Sequence, residues 1–358
     1  MGTIGRKTLG RQKGKGKLTV LEYEEKKENH KWAWKLLIGI VICMVLYQFK
    51  DSLSEGLKEM REISPGKIII IIGLSLAFVA IEGAVIFLMT EQEENKLTLK
   101  QCICCAYYCT FVRLATLGGG AGVGEIYYLS KSGVNAGKAT GISLIQYMVQ
   151  KIMVAFYGGL SFLLFFPMID SYLKPYNRYI FIAVCITLLV VAGIILVTVP
   201  SKCSAFLMKF LDRIGSGHNK VQEKLKGLRE QMELLQDTAT SLLQEKKTLF
   251  KVFLLDVIKY TCWYTIPFVL YGSTELTFFK SLIFTALVTM LAGVIPAPSG
   301  LGALETVFII LFSPILQRSR AISLALIYRL CTTLVPFVVG SIVALRFNRE
   351  HSKNVTDD

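Results

Sequence analysis

The sequence predicts an all-α polytopic membrane protein: two inverted-topology repeats, with six full spans and two re-entrant hairpins. Composition is the first reason. Hydrophobic residues make up 53% of the 358, charged residues only 18%, and mean hydropathy is +0.51; a soluble domain carries about 25% charge. Apolar runs long enough for a hydrocarbon core are the second reason. A pair of glycine-rich motifs, one in each half of the chain, is the third. Disordered, collagen-like and small disulfide-stapled classes are excluded, as is a soluble enzyme with a single anchor.

Taken in order, residues 1–31 hold nine Lys/Arg against four Glu and read as a basic cytosolic tail. They are too long and too acidic for a secretory signal. The first span is Trp32–Phe49, with Trp32 and Trp34 as interfacial anchors. The second, Ile68–Thr90, carries Glu82. Gln101–Thr116 is only half apolar, contains Arg113, and runs into Leu117-Gly-Gly-Gly-Ala-Gly-Val-Gly-Glu125. Such a glycine run breaks a helix, so this stretch is read as a hairpin entering and leaving on one side. Irregular backbone at that depth needs protein or a polar cavity around it.

A long span, Ala139–Phe166, carries Gln146, Gln150 and Lys151. Tyr179–Val199 is the next, closed by Pro200. Residues 201–247 form a basic cytosolic insert in which Val221–Leu243 has apolar residues at helical spacing, as in a helix lying on the membrane. Thr248–Leu270 is a span with Asp256 and Lys259, at i and i+3 and so on one face. Leu276–Ile295 leads into Pro296-Ala-Pro-Ser-Gly-Leu-Gly-Ala-Leu-Glu305 and a short apolar arm, Thr306–Ile315, a second hairpin. The last span, Ile322–Phe347, carries Arg329, and 347–358 is a cytosolic tail.

The net charge of +14 is explained by topology rather than by nucleic acid. With the N-terminus inside, cytosolic segments hold 25 Lys/Arg and outer segments nine. Both termini are then cytosolic. His30, His218 and His351 all lie outside the spans, so no histidine metal site or intramembrane histidine chemistry is expected. The nine cysteines form no spaced extracellular framework, and no structural disulfide is expected. Cys102, Cys104, Cys105 and Cys109 crowd one helical arm, which reads as small-residue packing rather than a metal or iron–sulfur site.

The two motifs match as Gly120-x-Gly122-x-x-Glu125 and Gly300-x-Gly302-x-x-Glu305, and Ile142-Ser143-Leu144 matches Ile322-Ser323-Leu324 at the same offset. Repeat one is 32–166 and repeat two 179–346, together one transmembrane domain, 32–346. The first starts inside and the second outside, as in transporters whose sites lie at the repeat interface. Neither motif sits in a strand–helix unit, which sets aside a dinucleotide fold.

A charge near the bilayer centre costs a few kcal/mol or more, so Arg113, Lys151 and Arg329 need partners or water. Hairpin helix starts present free N–H groups to anions. A headgroup site is therefore expected from Arg113, Gly120, Gly122, Gly124, Glu125, Gln150, Lys151, Pro298, Gly300, Gly302, Glu305 and Arg329. Glu125 and Glu305 are read as helix caps, as counter-charges or as proton exchangers. No catalytic triad, metal or cofactor is expected.

Residues 296–305 resemble the P-x-P-G-G-x-G-x-x-E signature of the lysylphosphatidylglycerol synthase transmembrane-region family, with Ser299 in place of the usual Gly. Gly124-Glu125 followed by a span with Gln150-Lys151 is similar to its first-half signature, where many members have an acidic residue and Arg. The resemblance implies a flippase-like domain related to the membrane part of multiple peptide resistance factors. It implies a bacterial plasma membrane and a link to resistance against cationic peptides. It also implies a stand-alone member, since 11 residues follow Phe347 where relatives carry a soluble synthase domain. The expected function is movement of an aminoacylated or other anionic phospholipid headgroup. Two alternatives stand: a phosphatidylglycerol lysyltransferase or envelope-lipid synthesis subunit acting with a separate synthase, and an inverted-repeat transporter of a small anion. The expected partners are membrane lipids, a separate lipid synthase and a second copy of the chain, not nucleic acid.

Overall fold

The computed structural model describes residues 61, 63–91, 97–198, 240, 245–295, 297, 300 and 302–354. Every element among them is helical. Five stretches are long and apolar enough to cross a membrane: Pro65–Thr90, Ala136–Leu164, Phe166–Leu196, Lys246–Tyr271 and Arg318–Arg349. The expected first span, the insert helix Val221–Leu243 and the basic tail lie outside the described residues.

Helix α1 spans Pro65–Thr90, and Pro65 in its first turn suits a position where the missing N–H bonds nothing. The first hairpin is α2, Leu99–Ala115, and α3, Ala121–Lys131. Thr98 starts α2 with a capping box: its hydroxyl accepts from the Gln101 N–H and the Gln101 side chain accepts from the Thr98 N–H. Helix α4 is Ala136–Leu164, 29 residues and so about 43 Å at 1.5 Å per residue, longer than a hydrocarbon core of about 30 Å.

The segment 167–178, between the expected spans Ala139–Phe166 and Tyr179–Val199, is helical. Pro167 opens α5, Phe166–Leu173, and a 3-10 turn at Lys174–Tyr176 joins it to α6, Asn177–Thr198. Proline fits helix starts, so Pro167 and Pro175 bend the path without ending it. Helices α7, Lys246–Tyr264, and α8, Ile266–Tyr271, form the next span, with Pro267 at their junction.

The second hairpin is α9, Phe278–Val294, and α10, Ala303–Leu316. It leads into α11, Arg318–Arg329, a π turn over Leu330–Leu334, and α12, Val335–Asn354. Pro336 has no N–H to continue an α-helical ladder. The wider π turn takes up the mismatch, and the Cys331 carbonyl accepts from the Ser75 hydroxyl at 2.6 Å.

Residues 50–343 form one compact unit. Within it α1 packs along both α2 and α7, α4 along α9, and α10 along α11. Phe78 of α1 stacks on Trp263 of α7 with ring centres 3.6 Å apart. The core of the second half gathers Phe284, Phe308, Phe312 and Tyr328, all fully buried. Apolar side chains also cover the outside, with Leu163 76% and Leu189 74% exposed. An apolar surface of that kind is the surface a membrane protein presents to lipid tails.

Two crossings join the halves in the same way. Gly158 of α4 lies against Met290 of α9, and Gly340 of α12 lies against the Tyr107 carbonyl and Phe111 of α2. Gly158 stands to Gly340, and Phe111 to Met290, at nearly the offset that separates Gly120 from Gly300. In each case the helix after one hairpin uses a glycine to approach the first arm of the other hairpin, the small-residue contact by which membrane helices pack closely.

Candidate functional site

Two polar clusters sit in this apolar bundle. The first is built on Glu82 of α1, which is 5% exposed. Its Oε1 accepts from Gln150 Nε2 at 2.8 Å and from Gln146 Nε2 at 3.2 Å. Arg113 Nη2 is 3.8 Å from the same oxygen. Ser143, Gln146 and Gln150 are spaced i, i+3 and i+7, so α4 presents all three on one face. Ser143 donates to Glu125 Oε2 at 3.1 Å and approaches the Gly122 carbonyl at 3.4 Å.

The second half of the chain completes this cluster. Tyr260 of α7 donates to the Gln150 carbonyl at 3.3 Å. Asp256 and Lys259 form an ion pair on the buried face of α7, as their i, i+3 spacing predicts. The Lys259 ammonium lies 5.6 Å from the Phe78 ring centre and 5.2 Å from that of Tyr260, which places aromatic faces against its charge. Glu82 lies within electrostatic range of both Glu125 and Asp256.

The second cluster is the turn of the second hairpin. Gly300 and Gly302 have φ of +64° and +77°, a backbone conformation in which a side chain is strained. Gly302 precedes α10 and Glu305 lies in that helix's first turn. Arg329, 3% exposed, donates from Nη1 to the Gly300 carbonyl at 3.0 Å, and its Nε is 3.4 Å from Glu305 Oε1. One guanidinium therefore ties the glycine turn to the start of α10.

The first hairpin is organised differently. Gly120 precedes α3 and donates its N–H to Thr116 Oγ1 at 2.7 Å. Gly124 faces Val112, whose Cβ lies 3.0 Å from where a side chain would begin. The offset that carries Glu305 back to Glu125 carries Arg329 back to Val149, so Glu125 has no arginine at the matching place. Its partner is Ser143, while the matching Ser323 bonds within its own helix to the Ser319 carbonyl.

Of the residues expected from sequence, Arg113, Glu125 and Gln150 fall in the first cluster, beside Gly120, Gly122 and Gly124. Gly300, Gly302, Glu305 and Arg329 form the second. Pro298 lies outside the described residues. Lys151 joins neither: it is half-buried on α4, 5.3 Å from the ring centre of Tyr147, which is 51% exposed. Adjacent helical residues point about 100° apart, so Gln150 faces inward while Lys151 sits toward the lipid-facing edge.

Sequence reasoning left Glu82 and Gln146 out of the site and gave Ser143 no role there. Glu82 had a signal, as the one ionisable residue in an otherwise apolar span. Gln146 had one too, a full turn before Gln150. The cysteines of α2 follow the packing reading: Cys102, Cys105 and Cys109 are buried, and Cys102 contacts Thr90 of α1 at 3.7 Å. Among the described residues no three His, Cys, Asp or Glu side chains gather as metal ligands.

Residues 32–340 match the family described as the lysylphosphatidylglycerol synthase TM region. The chain belongs to that family. Among curated proteins none matches it significantly. Membership and the helical bundle together establish a multi-pass membrane protein with a lipid-related function. In that setting the clusters gain meaning. Ionisable groups within membrane segments are costly and mark substrate or ion pathways, and here α1, α2, α3 and α7, helices from both halves of the chain, contribute them, with neutral polar side chains added by α4.

Proposed function

We propose that the protein is a phospholipid flippase that moves an anionic or aminoacylated headgroup across the plasma membrane, with both termini in the cytosol. The observation that carries this reading is the Glu82 cluster, its carboxylate buried in the bundle and its members drawn from both halves of the chain. The headgroup crosses between the halves, which are inverted repeats in this reading. The acyl tails stay in the surrounding lipid. Lys151, at the lipid-facing edge beside Tyr147, meets the phosphate first. Gln150 and Arg113 receive the polar headgroup inside, and the Arg329-stapled turn holds the second hairpin in position. Family membership supports a lipid as cargo, and the positive-inside bias supports the orientation.

The test is reconstitution of the full chain in vesicles with headgroup-labelled phosphatidylglycerol, reading the labelled lipid exposed in each leaflet over time. Lipid movement above that of protein-free vesicles is expected. Loss of a charge-assisted hydrogen bond worth about 1.5–3 kcal/mol reduces the rate about tenfold or more in Lys151→Ala and Gln150→Ala. Absence of movement by folded protein, for this lipid and for its lysyl ester, overturns the reading. Uptake of a soluble phosphate ester by the same vesicles would favour the small-anion alternative.

A further inference from the structure

Glu125 and Glu82 are both buried carboxylates, and their surroundings are opposite. Glu82 receives two amide N–H donors on one oxygen and has the Arg113 guanidinium 3.8 Å away. Glu125 is 5% exposed and receives one hydroxyl, from Ser143, on Oε2. Its Oε1 is buried and has no hydrogen-bond partner among the described residues. An ionised carboxylate left in that state pays a desolvation cost that one hydroxyl donor and the more distant Arg113 offset only in part.

A second unpartnered acceptor lies on α4. Gln146 gives its Nε2 to Glu82, and its Oε1 is buried without a donor. Gln146 is one turn along α4 from Ser143, the residue that holds Glu125. Protonation converts a carboxylate oxygen from acceptor to donor and removes its charge, so a proton on Glu125 relieves the burial of its unpartnered Oε1. The other charged or titratable groups around it do not supply one. Helix α2 faces it with Arg113, already turned to Glu82, and with the buried thiols Cys105 and Cys109. Helix α1 contributes the like charge of Glu82, and α4 contributes only the neutral Ser143 and Gln146 on this face. On α3 itself, Tyr128 is buried against Tyr108 and Lys131 is exposed at the helix end. In the hairpin of the second half the matching Glu305 has Arg329 beside it instead.

We propose that Glu125 is a proton-binding site of this membrane domain, taking up and releasing a proton. The coupling of that exchange to headgroup movement rests on the flippase reading above; the site itself does not. Crossing of the headgroup past Gln146 and Gln150 rearranges the donors around Glu82 and alters the like charge that Glu125 meets. The chain then moves protons as well as lipid.

The test is infrared difference spectroscopy of the purified full chain on a pH step, reading the protonated-carboxyl stretching band. A titrating band is expected in the wild type, lost in Glu125→Gln and retained in Glu82→Gln. The glutamine keeps the shape of Glu125 and an oxygen for Ser143, and Glu125→Asp is expected to restore a titrating band. A band of wild-type size in Glu125→Gln, or none that titrates in the wild type, overturns the proposal. In vesicles carrying labelled phosphatidylglycerol and a trapped pH dye, Glu125→Gln is expected to uncouple lipid movement from proton movement. Loss of the band in Glu125→Gln with no lipid movement by the wild type would sink the flippase reading and leave the proton site standing.

Discussion

Gly158 and Met290 meet so closely that a Cβ on the glycine would lie 2.6 Å from the methionine sulfur. The related crossing at Gly340 is closed by backbone: the Tyr107 carbonyl crowds the position a methyl would take, and Phe111 N and Cβ each lie 3.1 Å from it. A thioether can swing aside and a backbone cannot. Gly340→Ala is therefore expected to destabilise by about 1–3 kcal/mol through overpacking, and Gly158→Ala by less than about 1 kcal/mol. Thermal midpoints of the two variants in detergent check the order; equal midpoints would remove the distinction.

Arg329→Ala leaves Glu305 without its cation and the Gly300 carbonyl without its donor. Breaking one side of a buried pair costs about 3–5 kcal/mol, and removing both sides costs far less. Arg329→Met is expected to lower the thermal midpoint sharply, and Arg329→Met with Glu305→Gln to recover most of it. Arg329→Lys restores charge but not the fork that reaches two acceptors, so it falls between. A double variant no better than the single would show that the ion pair is not what Arg329 contributes.

Asp256 and Lys259 offer the same experiment on α7 with a different expectation. Lys259 keeps the faces of Phe78 and Tyr260 when its carboxylate is lost. Asp256→Asn is thus expected to cost less than Arg329→Met, with the cation–π contacts retaining about 0.5–2 kcal/mol. The further change Phe78→Leu in that background removes one ring and lowers the midpoint again. A melting comparison of the wild type with these three variants reads both steps.

Gln150 and Lys151 separate an inner role from an edge role. Gln150→Ala removes a donor from Glu82, so both stability and lipid movement fall. Lys151→Ala touches no side-chain hydrogen bond among the described residues, so lipid movement falls while the thermal midpoint stays within about 0.5 kcal/mol of the wild type, the ordinary range for a substitution away from the core. A matched loss of stability in both would place Lys151 in the structural framework instead.

Much of this architecture was legible in the residue pattern. Span boundaries at Thr90, Leu270 and Thr248 fell within a few residues of the helix ends, because long apolar runs leave little choice inside a membrane. The hairpins were visible through Gly118–Gly120 and Gly300–Gly302, where helix is unfavourable. The helical path through 167–178 was not visible, since Pro167 and Pro175 usually signal a loop and here occupy helix starts. Nor was the π turn at Leu330–Leu334, where Pro336 follows in the chain and the Cys331 carbonyl accepts from Ser75 of a distant helix.

The site was half legible. The sequence exposed Arg329, Glu305 and Glu125 as charges that an apolar segment must account for. It could not pair them, because a motif repeated at a fixed offset suggests equivalent partners. Arg329 answers Glu305, whereas Val149 stands in the matching place and Glu125 is left with Ser143. Likewise Lys151 drew attention by charge, but a rotation of about 100° per residue puts Gln150 inside and Lys151 at the edge.

The sequence alone therefore determined that this chain is a membrane bundle with two glycine-turned hairpins, since burial in hydrocarbon fixes which segments span and which break. The tertiary structure decided which buried charges meet. That depends on close approaches between helices far apart in the chain, such as Glu82 to Gln150 and Arg113, and no local pattern encodes them.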